Sequence, residues 1–324
     1  WTNPTGDTTW AGVEIRRVGW RDYPQYTGTG PDYPANETEG AFVVQTGANA
    51  YDDQPLLPPV TPRDIYYYSA FSYDLAGNYS VYNAGASDRT TNYWLGDIDS
   101  TGTVDSGDLV VFSGAYASTE GGPGWVAEVD FGPSDDHSRF GIPLPDDAVQ
   151  FEDLMIFAMN FGNVTAGGVS GQQLAERQVP LAEQVTFRFE TAQTRSPDGT
   201  VQISVVLDNG ATDLKGIRLT VDYGVGNQLV RVEQGALLRG GGSAFVGTLP
   251  AGPGRVHVDI AALGIGTAFE GSGELVRLVI RPDDAEVVSV RFDGADLRDV
   301  NNRREVIETT GGSDTFVPTV SSLH

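Results

Sequence analysis

Residues 1–92 alternate between apolar and polar positions in short runs that predict β-strands. One run surrounds Ile15, a second covers residues 41–45, and a long third run covers residues 64–73. Valine, tyrosine and phenylalanine dominate these runs, and such side chains pack well on the pleated surface of a sheet. Gly, Pro, Asn and Asp separate the runs, as is typical of turns. We therefore expect an all-β region here.

A second β-region is predicted from residue 184 to about residue 310. The predicted strands cover residues 185–190, 201–207, 216–223, 229–233, 255–261, 273–280 and 287–292. Short strands at regular intervals, separated by Gly and Asp turns, favour a β-sandwich or jelly roll. Residues 166–183 are rich in Gly and Gln and are interpreted as a flexible linker, and residues 311–324 as a tail. The predicted fold class is therefore mainly β, with a small helical insert.

The helical insert is predicted from a change in apolar spacing between the two β-regions. Apolar side chains stand at i, i+3 and i+7 after Asp108, and the same spacing follows Asp153, 45 residues further on. They are Leu109, Phe112 and Tyr116 in the first copy and Leu154, Phe157 and Phe161 in the second. The repeat predicts two short helices whose aromatic faces pack together as core.

Oxygen-bearing side chains precede the first predicted helix with the spacing of a calcium loop. Gly102 stands at position 6, where such a loop turns sharply, and Val104 at position 8 is expected to point inward. The side-chain ligands at positions 1, 3, 5, 9 and 12 are Asp97, Asp99, Thr101, Asp105 and Asp108, and the carbonyl of Thr103 occupies position 7. Thr101 and Asp108 depart from the strict pattern. An acidic turn without metal is the alternative interpretation.

A second loop of altered length precedes the second predicted helix. Asp130 is its first expected ligand and Asp153 its last, with Asp146 at position 5 and the carbonyl of Ala148 at position 7. Residues 133–145 form an insertion within the loop, and Asp135 or Asp136 is a candidate additional ligand. We expect about two Ca²⁺ ions in all. A weaker or unoccupied second site is the alternative.

The charge of the chain supports cation binding and excludes several partners. Residues 94–164 carry 13 acidic side chains and one basic side chain, Arg139. The net charge of this segment is therefore half of the −24 of the whole chain. Bound divalent cations would offset the repulsion within this segment. Nucleic acid and anionic membranes are unexpected partners, because both require a positive surface. The chain has no run of apolar residues long enough to span a membrane.

No recognised catalytic pattern occurs in the sequence. The chain has no cysteine and three histidines, and it lacks the nucleophile-elbow, zinc-protease and phosphate-loop motifs. Small sandwich modules account for nearly all of its length. We therefore expect a protein that is not an enzyme.

Three resemblances to known families follow from these motifs. The strand at residues 64–73 with its turn at residues 74–78 resembles the last hairpin of a fibronectin type III domain, whose first strand would lie before Trp1; this implies such a domain over residues 1–92. The paired loops and helices resemble a dockerin over residues 93–165. Residues 216–223, 229–238 and 273–280 resemble the strands and turn of a cohesin, which implies a cohesin-like sandwich over residues 184–310.

The dockerin resemblance also implies partner-binding residues and a function. Carried over from that family, they are Ser106, Gly107, Phe151 and Glu152. The expected function is non-catalytic assembly at the cell surface or outside the cell, with protein modules of the cohesin or dockerin type, or further copies of this chain, as partners. Head-to-tail fibres, a scaffold adaptor and a rigid rod joined within one chain all remain open. The rival hypothesis is a polysaccharide-binding region, for which Trp10 and Trp20 are candidate contacts.

Overall fold

The computed structural model describes residues 2–3, 6–53, 61–162, 180–191, 195–209, 213–240, 243–283, 288–307 and 313–316. In this part of the chain the fold is mainly β, with antiparallel sheets and short helices, and it confirms the predicted fold class. The helices are α1 (Ser106–Ala115), α2 (Phe151–Asn160), α3 (Leu181–Gln184) and α4 (Ala236–Gly240). The strands are β1 (Trp10–Gly19), β2 (Ala41–Thr46), β3 (Ile65–Asp74), β4 (Ser87–Thr91), β5 (Thr186–Thr191), β6 (Val201–Asn209), β7 (Leu214–Asp222), β8 (Gln228–Gln234), β9 (Ala244–Pro250), β10 (Arg255–Ala262), β11 (Gly273–Arg281), β12 (Val288–Asp299), β13 (Arg304–Ile307) and β14 (Ser313–Phe316).

The N-terminal sheet has four strands in the order β2-β1-β3-β4. Alternate residues of β3, including Ile65, Tyr67 and Phe71, are buried, as the alternation in sequence predicts. An aromatic core forms where Trp20 and Tyr26 pack beside Tyr67. Trp20, a candidate sugar contact, therefore contributes to this core.

The C-terminal sandwich consists of two further sheets. One contains the order β13-β12-β7-β10-β9, with β14 also paired to β12, and the other has the order β5-β6-β11-β8. Apolar residues from both sheets meet in one core, in which Ile203 and Leu278 face Leu219 and Val258. The second face of the larger sheet is directed away from this core. That outer face carries the contacts described below.

Each predicted strand corresponds to an observed one, with ends that differ by a few residues. Strands β4, β9, β13 and β14 were not predicted, and β14 lies within the predicted tail. Helix α3 lies at the end of the predicted linker, while residues 166–179 of that linker are outside the described residues. Helices α1 and α2 start two residues before the predicted Asp108 and Asp153 positions, because these aspartates occupy the first helical turn.

Candidate metal centre and its contacts within the chain

The start of α1 positions the end of the first loop. Asp105 is the N-cap residue, and its carboxylate accepts a hydrogen bond of 2.7 Å from the amide of Gly107. Asp108, in the first turn, accepts one of 2.8 Å from the amide of Asp105. This reciprocal arrangement is a capping box, and it holds the Asp108 side chain against the loop. Val104 is fully buried, as predicted.

Three carboxylates of the first loop converge on one point. Ligand atoms of Asp97, Asp99 and Asp108 all lie within 4.8 Å of one another. Oxygens on opposite sides of a calcium ion are about 5 Å apart, because each lies 2.3–2.6 Å from the ion. Gly102 turns the loop with a φ of +85°, a conformation that costs glycine little. The donor set and its spacing therefore fit Ca²⁺.

Backbone amides support the two buried carboxylates of this cluster. Thr101 and Gly102 donate to Asp97 at 3.0 and 3.1 Å, and Ile98 and the amide of Asp99 donate to Asp108 at 2.6 and 3.0 Å. Burial raises the pKa of Asp97, and the charge of Arg63 opposes this change. Calcium would favour the ionised form of the carboxylate in the same way as Arg63 does.

The side chains of Thr101, Thr103 and Asp105 are linked by hydrogen bonds. The hydroxyl of Thr103 contacts that of Thr101 at 3.1 Å and donates to Asp105 at 3.2 Å. Thr101 and Asp105 are exposed, and neither belongs to the carboxylate cluster. The structure thus brings the carboxylates of Asp97, Asp99 and Asp108 together.

The second loop repeats the backbone network of the first. Asp130 accepts hydrogen bonds from the amides of Asp146 and Asp147 at 3.2 and 2.9 Å, and Asp153 accepts them from Phe131, Gly132 and Gln150 at 2.7–2.9 Å. Asp147 has a φ of +65° and is the counterpart of Gly102. The predicted register at the end of the loop, with Asp146 at position 5 and the buried Ala148 at position 7, agrees with this network.

The second loop lacks a carboxylate at position 3, which is occupied by Gly132. A Cβ atom at Gly132 would lie 2.5 Å from the backbone nitrogen of Asp153, so the start of α2 leaves no room for a side chain. Asp135 accepts from Ile142 and pairs with Arg89 at 2.9 Å, while both oxygens of Asp136 accept from Ser138. Neither belongs to a cluster of three acidic ligand atoms within the described residues.

The acids of the second loop are held without convergence on a common point. Within the described chain, the first loop alone forms a cluster of three acidic ligand atoms. Burial raises the pKa of Asp130 to about 6 and that of Asp153 well above its ordinary value. These residues do not fit a second calcium ion as well as the first loop fits one.

Helices α1 and α2 pack on the outer face of the larger sheet of the sandwich. Met155 lies over Gly216 of β7, where a Cβ atom would be 2.1 Å from its sulfur, and Tyr116 lies over Gly247 of β9, where a Cβ atom would be 2.3 Å from its ring. Phe245 of β9 joins the helical core and contacts the Tyr116 ring at 5.0 Å. The two glycines therefore create the space that the helices occupy.

A buried polar cluster crosses the same boundary. Asp259 is fully buried; it accepts a hydrogen bond from the hydroxyl of Tyr116 and two from the guanidinium of Arg218, at 2.7 and 2.9 Å. Arg218 and Arg298 both lie over the ring of Phe151, at 5.1 and 5.6 Å. Because each charge here has a partner, the cluster fixes the orientation of the helices on the sheet.

The four predicted partner-binding residues fall into two pairs. Phe151 is buried beneath Arg218 and Arg298, and Glu152 pairs with Arg298 at 3.6 Å. Ser106 and Gly107 are exposed to solvent. The predicted docking residues of α2 thus contact a sheet of the same chain, whereas those of α1 do not.

Sequence reasoning missed Gly216, Gly247, Asp259 and Arg63. A glycine inside a strand is a signal of close approach by another element, but Gly216 begins its predicted strand and Gly247 lies in a strand that was not predicted. Asp259 and Arg63 gave no such signal, because their partners are distant in sequence.

None of the helices in the described ranges combines the length and apolar character needed to cross a membrane.

No family model matches the sequence, and no curated protein matches it. Among solved structures, a non-cellulosomal cohesin from the archaeon Archaeoglobus fulgidus is 17% identical, with a TM-score of 0.33 over 43% of this chain and 92% of its own. The cohesin module of a family 33 glycoside hydrolase from Clostridium perfringens is 15% identical, with a TM-score of 0.34 over 43% and 98%. The sixth cohesin of scaffoldin B from Acetivibrio cellulolyticus, solved in complex with a dockerin, is 15% identical, with a TM-score of 0.32 over 40% and 96%.

Proposed function

We propose that this chain is a non-catalytic structural protein of the cell surface or exterior, in which a calcium-stabilised helical pair joins β-modules into one rigid unit. The helical pair is the dockerin-like segment, and its partner is the cohesin-like sheet of the same chain. The observation that carries the proposal is the fit of Met155 and Tyr116 over the glycines of that sheet.

Docking within one chain competes strongly with docking between chains. Two surfaces joined by a short linker meet at an effective concentration of about 1 mM, well above the concentration of a typical secreted protein. A fibre or an adaptor that used the α2 surface would first have to separate Tyr116 from Asp259 and Phe151 from its two arginines. These contacts favour the rod over the two alternatives.

Calcium in the first loop would hold the start of α1 in place. Asp97, Asp99 and Asp108 are the clustered residues that would bind the ion. Thr101, the Thr103 carbonyl and Asp105 are the further ligands that the loop spacing predicts. The ion supplies positive charge that removes the repulsion among these carboxylates. Millimolar calcium outside cells suits loops of modest affinity, with dissociation constants of about 10⁻⁴–10⁻³ M.

The mass of the protein in solution tests whether the helices and the sheet join within one chain, as in the rigid rod. We expect light scattering at micromolar concentration to give the mass of one chain both with calcium and with chelator. A larger assembly that dissociates on chelation would contradict the rod and support the fibre.

Hydrogen exchange in two glycine variants tests the docking itself. Gly247→Ala forces a methyl group against Tyr116, so amides of α1 and α2 should exchange faster than in the wild type. Gly114→Ala is the matched control: it lies in α1 with open space around it, and alanine there should stabilise the helix by about 0.5–1 kcal/mol. Equal protection in the two variants would show that α1 is not docked on β9.

A further inference from the structure

Arg63 reaches the metal centre from the N-terminal region. It lies just before β3, its side chain is 6% exposed, and its guanidinium is held between Tyr23 and Tyr93 at 5.8 and 5.5 Å from the ring centroids. Its Nη1 donates a hydrogen bond of 3.0 Å to the hydroxyl of Tyr23. The aromatic rings thus fix a permanent positive charge next to the first loop.

The charge of Arg63 acts on the first ligand of the loop. Its Nη2 lies 3.0 Å from Oδ2 of Asp97, yet the angle is not that of a directed hydrogen bond to any described residue. The contact is therefore an ion pair held by charge. Glu128 and Asp130 line the same small cavity, so the one guanidinium lies among acids from both loops.

We propose that Arg63 is a built-in counter-cation of the first calcium loop: it stabilises Asp97 when calcium is absent and lowers the affinity of the loop for the ion. The inference rests on the proposed binding of calcium at Asp97, Asp99 and Asp108. Arg63 is a positioning residue, since it touches a ligand and carries no electron pair with which to bind the metal.

Arg63 has two opposite effects on calcium affinity, and the larger one decides whether the affinity rises or falls. The guanidinium repels a calcium ion bound to the same carboxylate, and after screening by solvent this repulsion should weaken calcium binding by about tenfold. The Asp97 carboxylate, by contrast, also keeps its amide hydrogen bonds from Thr101 and Gly102, which hold it in place without Arg63. Repulsion therefore outweighs positioning.

The same argument links the N-terminal region to the metal. Calcium and Arg63 neutralise one carboxylate, so removing either cation makes the protein more dependent on the other. The first loop thereby retains its shape at low calcium, with the N-terminal region bound to it.

Thermal unfolding of Arg63→Met with calcium and with chelator tests the inference. We expect a lower melting temperature in chelator, a calcium-induced increase that exceeds the wild-type increase by about 2–4 °C, and calcium binding that is about tenfold tighter by calorimetry. If Arg63→Met shows the same calcium-induced increase in melting temperature and the same calcium affinity as the wild type, the inference is wrong. No calcium-induced increase in the wild type would instead overturn the proposed function.

Two further variants separate charge from packing. Arg63→Lys keeps the charge and loses the flat stacking surface, so it should lower both melting temperatures equally and keep the wild-type calcium increase. Arg89→Met removes another arginine that reaches the central segment, through Asp135, away from the cluster; it too should leave the increase unchanged. If Arg63→Met does not fold in either condition, a calcium increase in Arg63→Lys that exceeds that of the wild type would overturn the charge argument, and a wild-type increase would support it.

Discussion

The two loops of the central segment share a backbone and differ in their ligands. In each, an aspartate at position 1 accepts two amides from positions 5 and 6, and an aspartate at position 12 accepts amides from positions 2, 3 and 9. Position 3 is Asp99 in the first loop and Gly132 in the second. Position 9 is Asp105 in the first and Gln150 in the second.

The difference teaches that the shape of the loop and its affinity for metal are separate properties. Backbone amides satisfy the buried aspartates at positions 1 and 12 in both loops, so the two loops share this hydrogen-bond network although their ligands differ. Calcium binding requires carboxylates that converge, and only the first loop has such a cluster among the described residues. We therefore propose one ion at the first loop and a second loop that keeps its form without one.

The largest expected effect distinguishes the two aspartates at position 12. Asp108→Asn removes a charge from the carboxylate cluster, so calcium affinity should fall on the order of 100-fold. Asp153→Asn alters a buried acid outside that cluster, and calcium affinity should stay within about twofold of the wild type. Titration calorimetry of the two variants measures both values.

The number of ions bound by the wild type completes this comparison. Equilibrium dialysis should give one calcium ion per chain, and the number should be unchanged in Asp153→Asn. Two ions in the wild type and one in Asp153→Asn would show that both loops bind calcium, as the sequence alone predicted.

A second expected effect distinguishes the two glycines, which are needed for different reasons. Gly102 adopts a φ of +85° with open space around it, so Gly102→Asn, a residue that tolerates this conformation, should cost less than about 1 kcal/mol of stability. Gly132 is in contact with the backbone of α2, so Gly132→Asn should cost about 2–3 kcal/mol. Urea unfolding in excess calcium measures both. Similar losses of stability in the two variants would contradict the explanation that α2 leaves no room for a side chain at Gly132.

Much of the fold followed from local patterns, and the exceptions have physical reasons. The strand at residues 65–74 alternates clearly, so its period was visible. Strand β4 contains Ser, Asp, Arg and Thr and has no apolar residue, so no period marks it. Strand β9 has Gly247 at its centre, where the absence of a side chain accommodates Tyr116. That glycine weakened the strand pattern because it serves a contact with another element.

In the candidate site, too, the features that depend on one short segment were predictable, and those that depend on contacts between distant segments were not. The spacing of Asp97, Asp99 and Asp108 is a property of one short segment, so the sequence could group them, and their ligand atoms lie within 4.8 Å of one another. The insertion in the second loop concealed which residue occupies position 3, and the steric limit on Gly132 comes from α2. Arg63 is 34 residues from Asp97, and no local pattern connects them.

The smallest expected effect concerns pH in the second loop. Burial raises the pKa of Asp130 to about 6, whereas the unfolded chain should have a value near 3.8. The cost of ionising Asp130 is thus fully present above pH 6 and disappears as the pH falls towards 4, so with chelator present the melting temperature should rise between pH 7 and pH 5. Asp130→Asn should make this slope shallower, whatever its effect on stability at a single pH; Asp97 and Asp153, whose pKa values burial also raises, contribute to the rest. Asp198→Asn is the control, because the ordinary pKa of an aspartate already lies below this range and hydrogen bonds from Thr200 lower the pKa of Asp198 further; this variant should keep the wild-type slope. A slope unchanged in Asp130→Asn would mean that the second loop holds this carboxylate ionised at neutral pH without cost, which would weaken the distinction between the loops.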